Sequence, residues 1–205
     1  MEIKQVYEYI IKIQSIAKIG LKFSKDPYAI SNYNEINDLS LKFLEDFINV
    51  KFDRPNYFSR DIYPTPSISV RTVILNKDKN KVLLVRESKD KTYSLPGGWA
   101  DLYESAKEAA IKECKQEAGA NVDILRLVGL IHKRPNTPNS VPEYVAIFEG
   151  SLIGKLTEHE YETDEVKWFD INELPSNVKK VYFDELERMI IATIKGETIF
   201  DWYER

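Results

Sequence analysis

Glu113 and Glu117 stand four residues apart in the stretch PGGWADLYESAKEAAIKECKQEAG, residues 96 to 119, and on a helix that spacing brings two carboxylates to one spot. Held so close they repel. The repulsion is relieved by a hard divalent cation that prefers carboxylate, water and phosphate oxygens, which describes Mg²⁺ or Mn²⁺. Lys112 and Gln116 form a second i, i+4 pair beside them, and Glu104 lies near the expected helix start. Just upstream, Pro96 ends a strand, and Gly97 and Gly98 allow the backbone to take positive φ and approach an ion or phosphate with no Cβ in the way. A glycine turn feeding an acidic helix suits metal-assisted hydrolysis. The competing explanation is a solvated helix face, which produces Glu and Lys at the same spacings more often.

The helix that positions these groups is expected from about Glu104 to Ala118, with Ala106, Ala110 and Cys114 in a column facing the core, Ala109 beside it, and Gly119 as the stop. Around it the strand patterns SISVRTVIL, KVLLVRE, ILRLVGLIHK, EYVAIFEGSL and VKWF, then a helix from about Val181 to Lys195, make a mixed α/β domain over residues 67–205. Ahead of it, residues 1–50 read as a helical hairpin. Its first helix carries Val6, Ile10, Ile13, Ala17 and Gly20 on one face. Its second begins at Asp26-Pro27 and runs to about Val50, with Tyr33, Ile36, Leu39, Phe43, Phe47 and Ile48 expected inside. Pro55, Pro64 and Pro66 make residues 51–66 an irregular linker.

With 205 residues, 43% hydrophobic and 30% charged, the chain has enough apolar material for one good core and an accessory module. A net charge of −4 offers no broad cationic surface to nucleic acid or anionic lipid, so neither is an expected partner. Charges interrupt the N-terminal apolar stretch too often for a secretion signal or a membrane span. The single cysteine, Cys114, cannot form an internal disulfide; it falls on the packing side of the helix, and a reducing cytoplasm is the expected compartment.

The order Gly98, five residues, Glu104, seven residues, Lys112-Glu113-Cys114, one residue, Gln116-Glu117, one residue, Gly119-Ala120 resembles the Nudix box. Residues 10 to 44 are similar to the helical N-terminal extension of a Nudix subgroup that includes enzymes similar to CDP-choline and ADP-ribose pyrophosphatases, and SLPGGWADLYES resembles that subgroup's turn. The resemblance implies an α/β/α sandwich with a mixed sheet behind a helical hairpin. It also implies attack of water on one phosphorus of a nucleoside diphosphate linked to X, giving a nucleoside monophosphate and phospho-X. Direct metal ligands would be Glu113 and Glu117, joined by the main-chain carbonyl of Gly97, with Gln116 offering a neutral oxygen. Two positions depart from the pattern. Lys112 replaces an arginine, and Gln116 replaces the first glutamate of the usual pair, which weakens or removes one metal site.

By the same resemblance a general base comes from the loop GKLTEHEYETDEVKWF, where Glu162 is preferred and Glu165 is second. An ordinary acidic surface loop is the alternative. Arg71 and Arg86, on flanking strands, are candidates to hold phosphate oxygens or else structural ion pairs. Trp99 and Tyr103 would wall the site, stack on a base, or simply pack. His132 lacks any matched His or Cys partner for a metal.

CDP-choline is the favoured substrate on subgroup resemblance, with Tyr28, Tyr33, Tyr57, Phe58 and Tyr63 as aromatic faces near the linker; ADP-ribose or a nucleotide sugar is the alternative. A nucleotide sensor with a metal site impaired by Gln116 is a reading of another class. RNA end processing would want a basic channel, and His132-Lys133-Arg134 is too short for one. Two amphipathic helices ahead of a complete domain must bury their stripes against something, and the expectation is a homodimer.

Overall fold

Alternation along β2 (Lys81–Glu87) sets the layers of the α/β part: Leu83 and Val85 join one cluster, Val82 and Leu84 another, and all four are fully buried. A strand apolar on both faces must be covered on both. On one side lies α3 (Ala106–Ala118), which brings Cys114 and Ala118 onto Leu83, Val85 and Ile74; on the other, α4 (Phe183–Lys195) brings Leu186, Met189 and Ile190 onto Val82 and Leu84. Each large apolar side chain buried this way contributes about 1.5–3 kcal/mol.

The computed structural model describes residues 3–46, 65–101, 104–133, 142–160 and 162–201. Between the helices lie two three-stranded sheets. One has the order β1-β5-β4, where β1 (Ser67–Ile74) runs parallel to β5 (Glu143–Leu152) and β5 runs antiparallel to β4 (Val122–His132). The other has the order β3-β2-β6, with β3 (Tyr93–Ser94) and β6 (Thr163–Asp170) both antiparallel to β2. The mixed sheet is therefore the first of the pair, and the short β3 is an element the sequence pattern did not announce. The fold is the expected α/β/α arrangement.

Helix α3 begins at Ala106, two residues later than its periodicity suggested. Ser105 is the reason: its hydroxyl accepts from the Glu108 N–H at 3.2 Å while the Glu108 carboxylate accepts from the Ser105 N–H at 2.9 Å, a reciprocal cap that fixes the first turn. Glu104 consequently lies outside the helix.

The chain divides into two compact units, one formed by residues 1–66 with 135–142 and holding the two N-terminal helices, the other the α/β unit of residues 67–134 and 143–205. In the helical unit α1 (Ile3–Phe23) and α2 (Pro27–Asp46) pack together, and Tyr7, Ile11 and Leu44 form its buried apolar cluster. Its burial pattern corrects the expected one. Gln14, Lys18, Asn37 and Ser40 are buried, with Gln14 donating to Asn37 at 3.2 Å, whereas Leu39 is 59% exposed and Ile36 37%. A helix with apolar residues on more than one side cannot bury them all against a single partner helix, and in α2 the polar pair won the seam. Phe47, Ile48, Val50 and residues 51–64 of the expected linker lie outside the described residues. Among the described residues no helix is long and apolar enough to cross a membrane.

Candidate active site

The glycine turn is stitched to β1: Val70 N–H donates to the Gly98 carbonyl at 2.8 Å, Thr72 N–H to the Pro96 carbonyl at 3.0 Å and Ala100 N–H to the Ile68 carbonyl at 3.1 Å. Gly97 takes φ +150°, and a Cβ there would strike the Val70 carbonyl, so only glycine fits. A Cβ on Gly98 would strike the Glu113 carboxylate. The turn and the acidic helix thus lie in contact. The Gly97 N–H donates to Glu117 Oε2 at 2.8 Å; the Gly97 carbonyl, expected as a metal ligand, belongs to the same turn.

Glu117 is buried, contrary to a purely solvated face, and its other oxygen, Oε1, accepts from Lys180 Nζ at 3.0 Å. Glu113, half-buried next to it, has its carboxyl pushed up to about 7, first by burial and then by the Glu117 charge, against the pull of Lys112, Lys180 and Arg71. Lys112 pairs with both Asp101, at 2.6 Å, and Glu104, at 2.8 Å, which hold its ammonium well above the ordinary lysine range. A point charge therefore serves two carboxylates where arginine would make a fork.

A second wall comes from the loop before β6. Gly119, the left-handed C-cap of α3 at φ +58°, leaves room for the Thr157 carbonyl, which a Cβ would strike. Thr157 N–H donates to the Gly119 carbonyl at 2.9 Å and its hydroxyl accepts from Lys115 at 2.8 Å. Glu160 N–H donates to the Gln116 carbonyl at 2.7 Å, and Thr163 Oγ1 donates to the Glu117 carbonyl at 2.6 Å. Gln116 Nε2 in turn donates to the Glu160 carboxylate at 3.2 Å. Between the walls is a cleft of about 200 Å³ lined by Lys112, Glu113, Gln116 and Glu117 from the helix, Trp99 and Asp101 from the turn, and Glu160 and Glu162 from the loop.

Of the residues singled out from sequence, the cleft gathers Glu113, Gln116, Glu117, Glu162 and Trp99. Three others lie elsewhere. Glu165 is inside β6, opposite Arg86 in the register, where it accepts from the Tyr93 hydroxyl at 2.5 Å and pairs with Arg86 at 2.9 Å. The strand starts earlier than expected, which turns Glu165 into part of a sheet-surface ion pair. Arg86 is the other half of that pair and also bonds Asp164 at 2.7 Å. Arg71 is buried beneath the turn, its guanidinium donating to the Val70 carbonyl at 2.6 Å; burial lowers its pKa while Glu117, Glu143 and Glu113 oppose that shift. It balances buried carboxylates and does not line the cleft. His132 packs edge-on against Tyr144, 5.7 Å between ring centres, and Tyr103 lies outside the described residues. Cys114 is buried, its thiol pushed up to about 12, which leaves it inert.

Asp101 and Glu160 on the cleft, and Lys180 and Glu87 beside it, are site residues that the sequence pattern does not mark. Lys180 had no motif to mark it. Glu160 sat in the quoted loop, and only the docking of that loop onto Gly119 selects it. The carboxylates fit a hard divalent ion by chemistry. Among the described residues, though, no three His, Cys, Asp or Glu groups are already gathered as a cage. Magnesium-type ions suit such an open arrangement, being held by one or two carboxylates together with waters and substrate phosphates.

Residues 65–189 match the model of the NUDIX domain. The chain belongs to the Nudix family. As a Nudix hydrolase it carries the box on the β1-linked turn and α3, and families of this kind generally use divalent metal ions. Residues 4–53 match a second model, the UDP-X-like, N-terminal oligomerisation domain. YjhB of Bacillus subtilis, provisionally named an ADP-ribose pyrophosphatase, is 32% identical over 168 residues, 80% of each chain. An ADP-ribose pyrophosphatase of Methanocaldococcus jannaschii is 29% identical over 126 residues, 60% of this chain and 70% of that one. Among solved structures, an ADP-ribose pyrophosphatase from Streptococcus suis superimposes with a TM-score of 0.55 at 28% identity, covering 68% of this chain and all 100% of the other. A UDP-X diphosphatase covers 98% of this chain and 100% of its own with a TM-score of 0.60; at 22% identity it speaks for the fold.

Proposed function

We propose that this Nudix hydrolase is a divalent-metal-dependent pyrophosphohydrolase of nucleoside diphosphates linked to X. The observation that carries this reading is the contact of the Gly97–Gly98 turn with Glu113 and Glu117 in one cleft that also holds Glu162. Glu113 and Glu117, with the Gly97 carbonyl and the neutral oxygen of Gln116, would hold Mg²⁺ or Mn²⁺. When bound, the ion neutralises the diphosphate and acidifies a water. Glu162 would take the proton of the attacking water as its oxygen bonds to phosphorus, and the P–O bond of the anhydride would break with its electron pair leaving on the departing phosphate. Trp99, 38% exposed on the cleft rim, offers a flat face to a base or sugar.

The names of the relatives favour ADP-ribose and UDP-linked substrates within this class, and CDP-choline, favoured from sequence, is the second arm. Tyr28 is exposed and Tyr33 half-buried, while Tyr57, Phe58 and Tyr63 lie outside the described residues. The test is a hydrolysis panel with Mg²⁺ and with Mn²⁺ on ADP-ribose, UDP-sugars, CDP-choline, dinucleoside polyphosphates and nucleoside triphosphates, beside Glu117→Gln. One strong substrate, lost in the variant, is the expected result. Ligand binding without turnover on any of them would overturn the enzyme reading in favour of a nucleotide sensor, the role Gln116 makes conceivable.

The assembly proposed with it is a homodimer through the hairpin. Tyr9, Ile16 and Phe23, spaced by sevens on α1, are 63%, 58% and 68% exposed, and Ile19 and Leu39 are exposed as well, an apolar stripe of the kind that helices bury against a second copy. A charge at Ile16 and Phe23 should shift the sedimentation coefficient from dimer to monomer. A wild-type chain that sediments as a monomer at micromolar concentration would sink the idea. The lone, buried Cys114 suits work in a reducing cytoplasm.

A further inference from the structure

Lys180 is held where no local preference would put it. Its φ is +68°, a left-handed conformation that a residue with a Cβ rarely adopts, and its neighbours impose it. Tyr93 N–H donates to the Asn177 carbonyl at 3.0 Å, Lys179 N–H donates to the Tyr93 carbonyl at 3.0 Å, and Val181 is buried in the core. With both sides pinned, the chain turns at Lys180 and aims its ammonium inward, 2.6 Å from Glu87 Oε1 and 3.0 Å from Glu117 Oε1. Glu117 lines the cleft, and the half-buried Lys180 meets it from beside that lining.

Glu117 is thus gripped at both oxygens, Oε2 by the Gly97 N–H and Oε1 by Lys180. We propose that Lys180 is a positioning residue for the metal site: anchored by Glu87, it fixes the rotation of the Glu117 carboxylate so that its remaining lone pairs face the cleft. This rests on the reading of the cleft as a divalent-ion site. A ligand whose orientation is set by an outer partner binds its ion more tightly, and loss of such a partner typically costs about 10–100-fold in metal affinity or activity. The grip matters more here because Gln116 supplies no charge of its own.

The experiment is Mn²⁺ titration of the full chain followed by electron paramagnetic resonance, without substrate. Lys180→Met should raise the Mn²⁺ Kd by about 10-fold or more, and Lys180→Arg should restore most of the affinity. Lys180→Gly is the variant that separates roles, since glycine accepts positive φ and keeps the backbone fold while losing the ammonium; it too should bind Mn²⁺ weakly. An unchanged Kd in folded Lys180→Gly would overturn the proposal. So would tighter binding, which would mean that the ammonium acts only by repelling the ion. Failure of the wild-type chain to bind Mn²⁺ would instead refute the metal-site reading beneath it.

Discussion

The two walls of the cleft carry acidic groups by different means. On the helix wall, Glu113 and Glu117 are carried by the 3.6-residue turn and met by a glycine turn twenty residues upstream, with Lys180 adding a distant contact to Glu117. On the loop wall, Glu160 and Glu162 owe their places to long-range bonds: the Thr157 carbonyl over Gly119, Glu160 N–H on Gln116 and Thr163 on Glu117. On the helix wall Glu117 is buried and Glu113 half-buried, whereas Glu160 and Glu162 on the loop wall are exposed. A rigid wall suits groups that must hold an ion at fixed distances, and an exposed one suits a group that must meet water and reach a substrate of variable shape.

The sharpest way to test that division is to remove one acid from each wall. Glu117→Gln keeps an acceptor for the Gly97 N–H but withdraws the buried charge, and kcat/KM for the best substrate should fall on the order of 10³-fold or more. Glu162→Gln should lower kcat by about 10²-fold, the low end for a general base because an exposed position lets solvent substitute in part, with KM little changed. Equal losses in KM and kcat for Glu162→Gln would assign it to binding instead. The helix wall should also show in the metal-free protein. Glu113 binds its proton more tightly in the fold, at about 7, than in an unfolded chain, so stability is greatest below the ordinary glutamate range and declines as pH rises towards 7. The thermal midpoint of chelator-treated protein should fall across that window, and Glu113→Gln should remove the slope.

The loop wall should fail through its tether. Gly119→Ala places a Cβ against the Thr157 carbonyl at a left-handed position and should cost about 1–3 kcal/mol by urea unfolding, with kcat falling alongside as Glu160 and Glu162 lose their seat. Gly154 is the control: it also has positive φ, +73°, but nothing lies within 4 Å of its added Cβ. Gly154→Ala should therefore keep its activity. If both variants lose activity alike, general loop strain explains the result and the docking does not.

These contrasts also show what the sequence could disclose. Periodicity exposes the box helix and the flanking strands, because each depends on neighbours three, four or two residues away. It failed where two faces compete. On α2 the pattern favoured Ile36 and Leu39 for the interior, yet Asn37 and Ser40 are inside; an apolar stripe says that something covers it and not what. Glu162 was legible as a member of a flexible acidic loop. Glu165 was not separable from it, since the start of β6 is set by pairing with β2 across 70-odd residues. Lys180 is invisible in the sequence, because a lysine three residues ahead of a helix has no spacing that announces an inward turn; its left-handed φ emerges only from the bonds on either side.

The smallest effect expected lies on the sheet surface, where Arg86, expected from sequence as a candidate to hold phosphate oxygens, pairs with Asp164 and with Glu165, the second candidate base. Arg86 donates to Asp164, and Lys91 joins them, holding the Asp164 carboxyl down at about 2. A depressed carboxyl pKa gives stability that is present above the ordinary aspartate value and lost as pH falls through the depressed one, here between about 4 and 2. Arg86→Met should therefore leave kcat/KM and Mn²⁺ affinity unchanged, lower stability modestly above about pH 4 and move the acid unfolding midpoint towards higher pH, by an amount that salt diminishes. Should Arg86→Met instead raise KM with kcat intact, the guanidinium would have to leave Asp164 for a substrate phosphate. The division between a site that works and a surface that merely holds would then have been drawn in the wrong place.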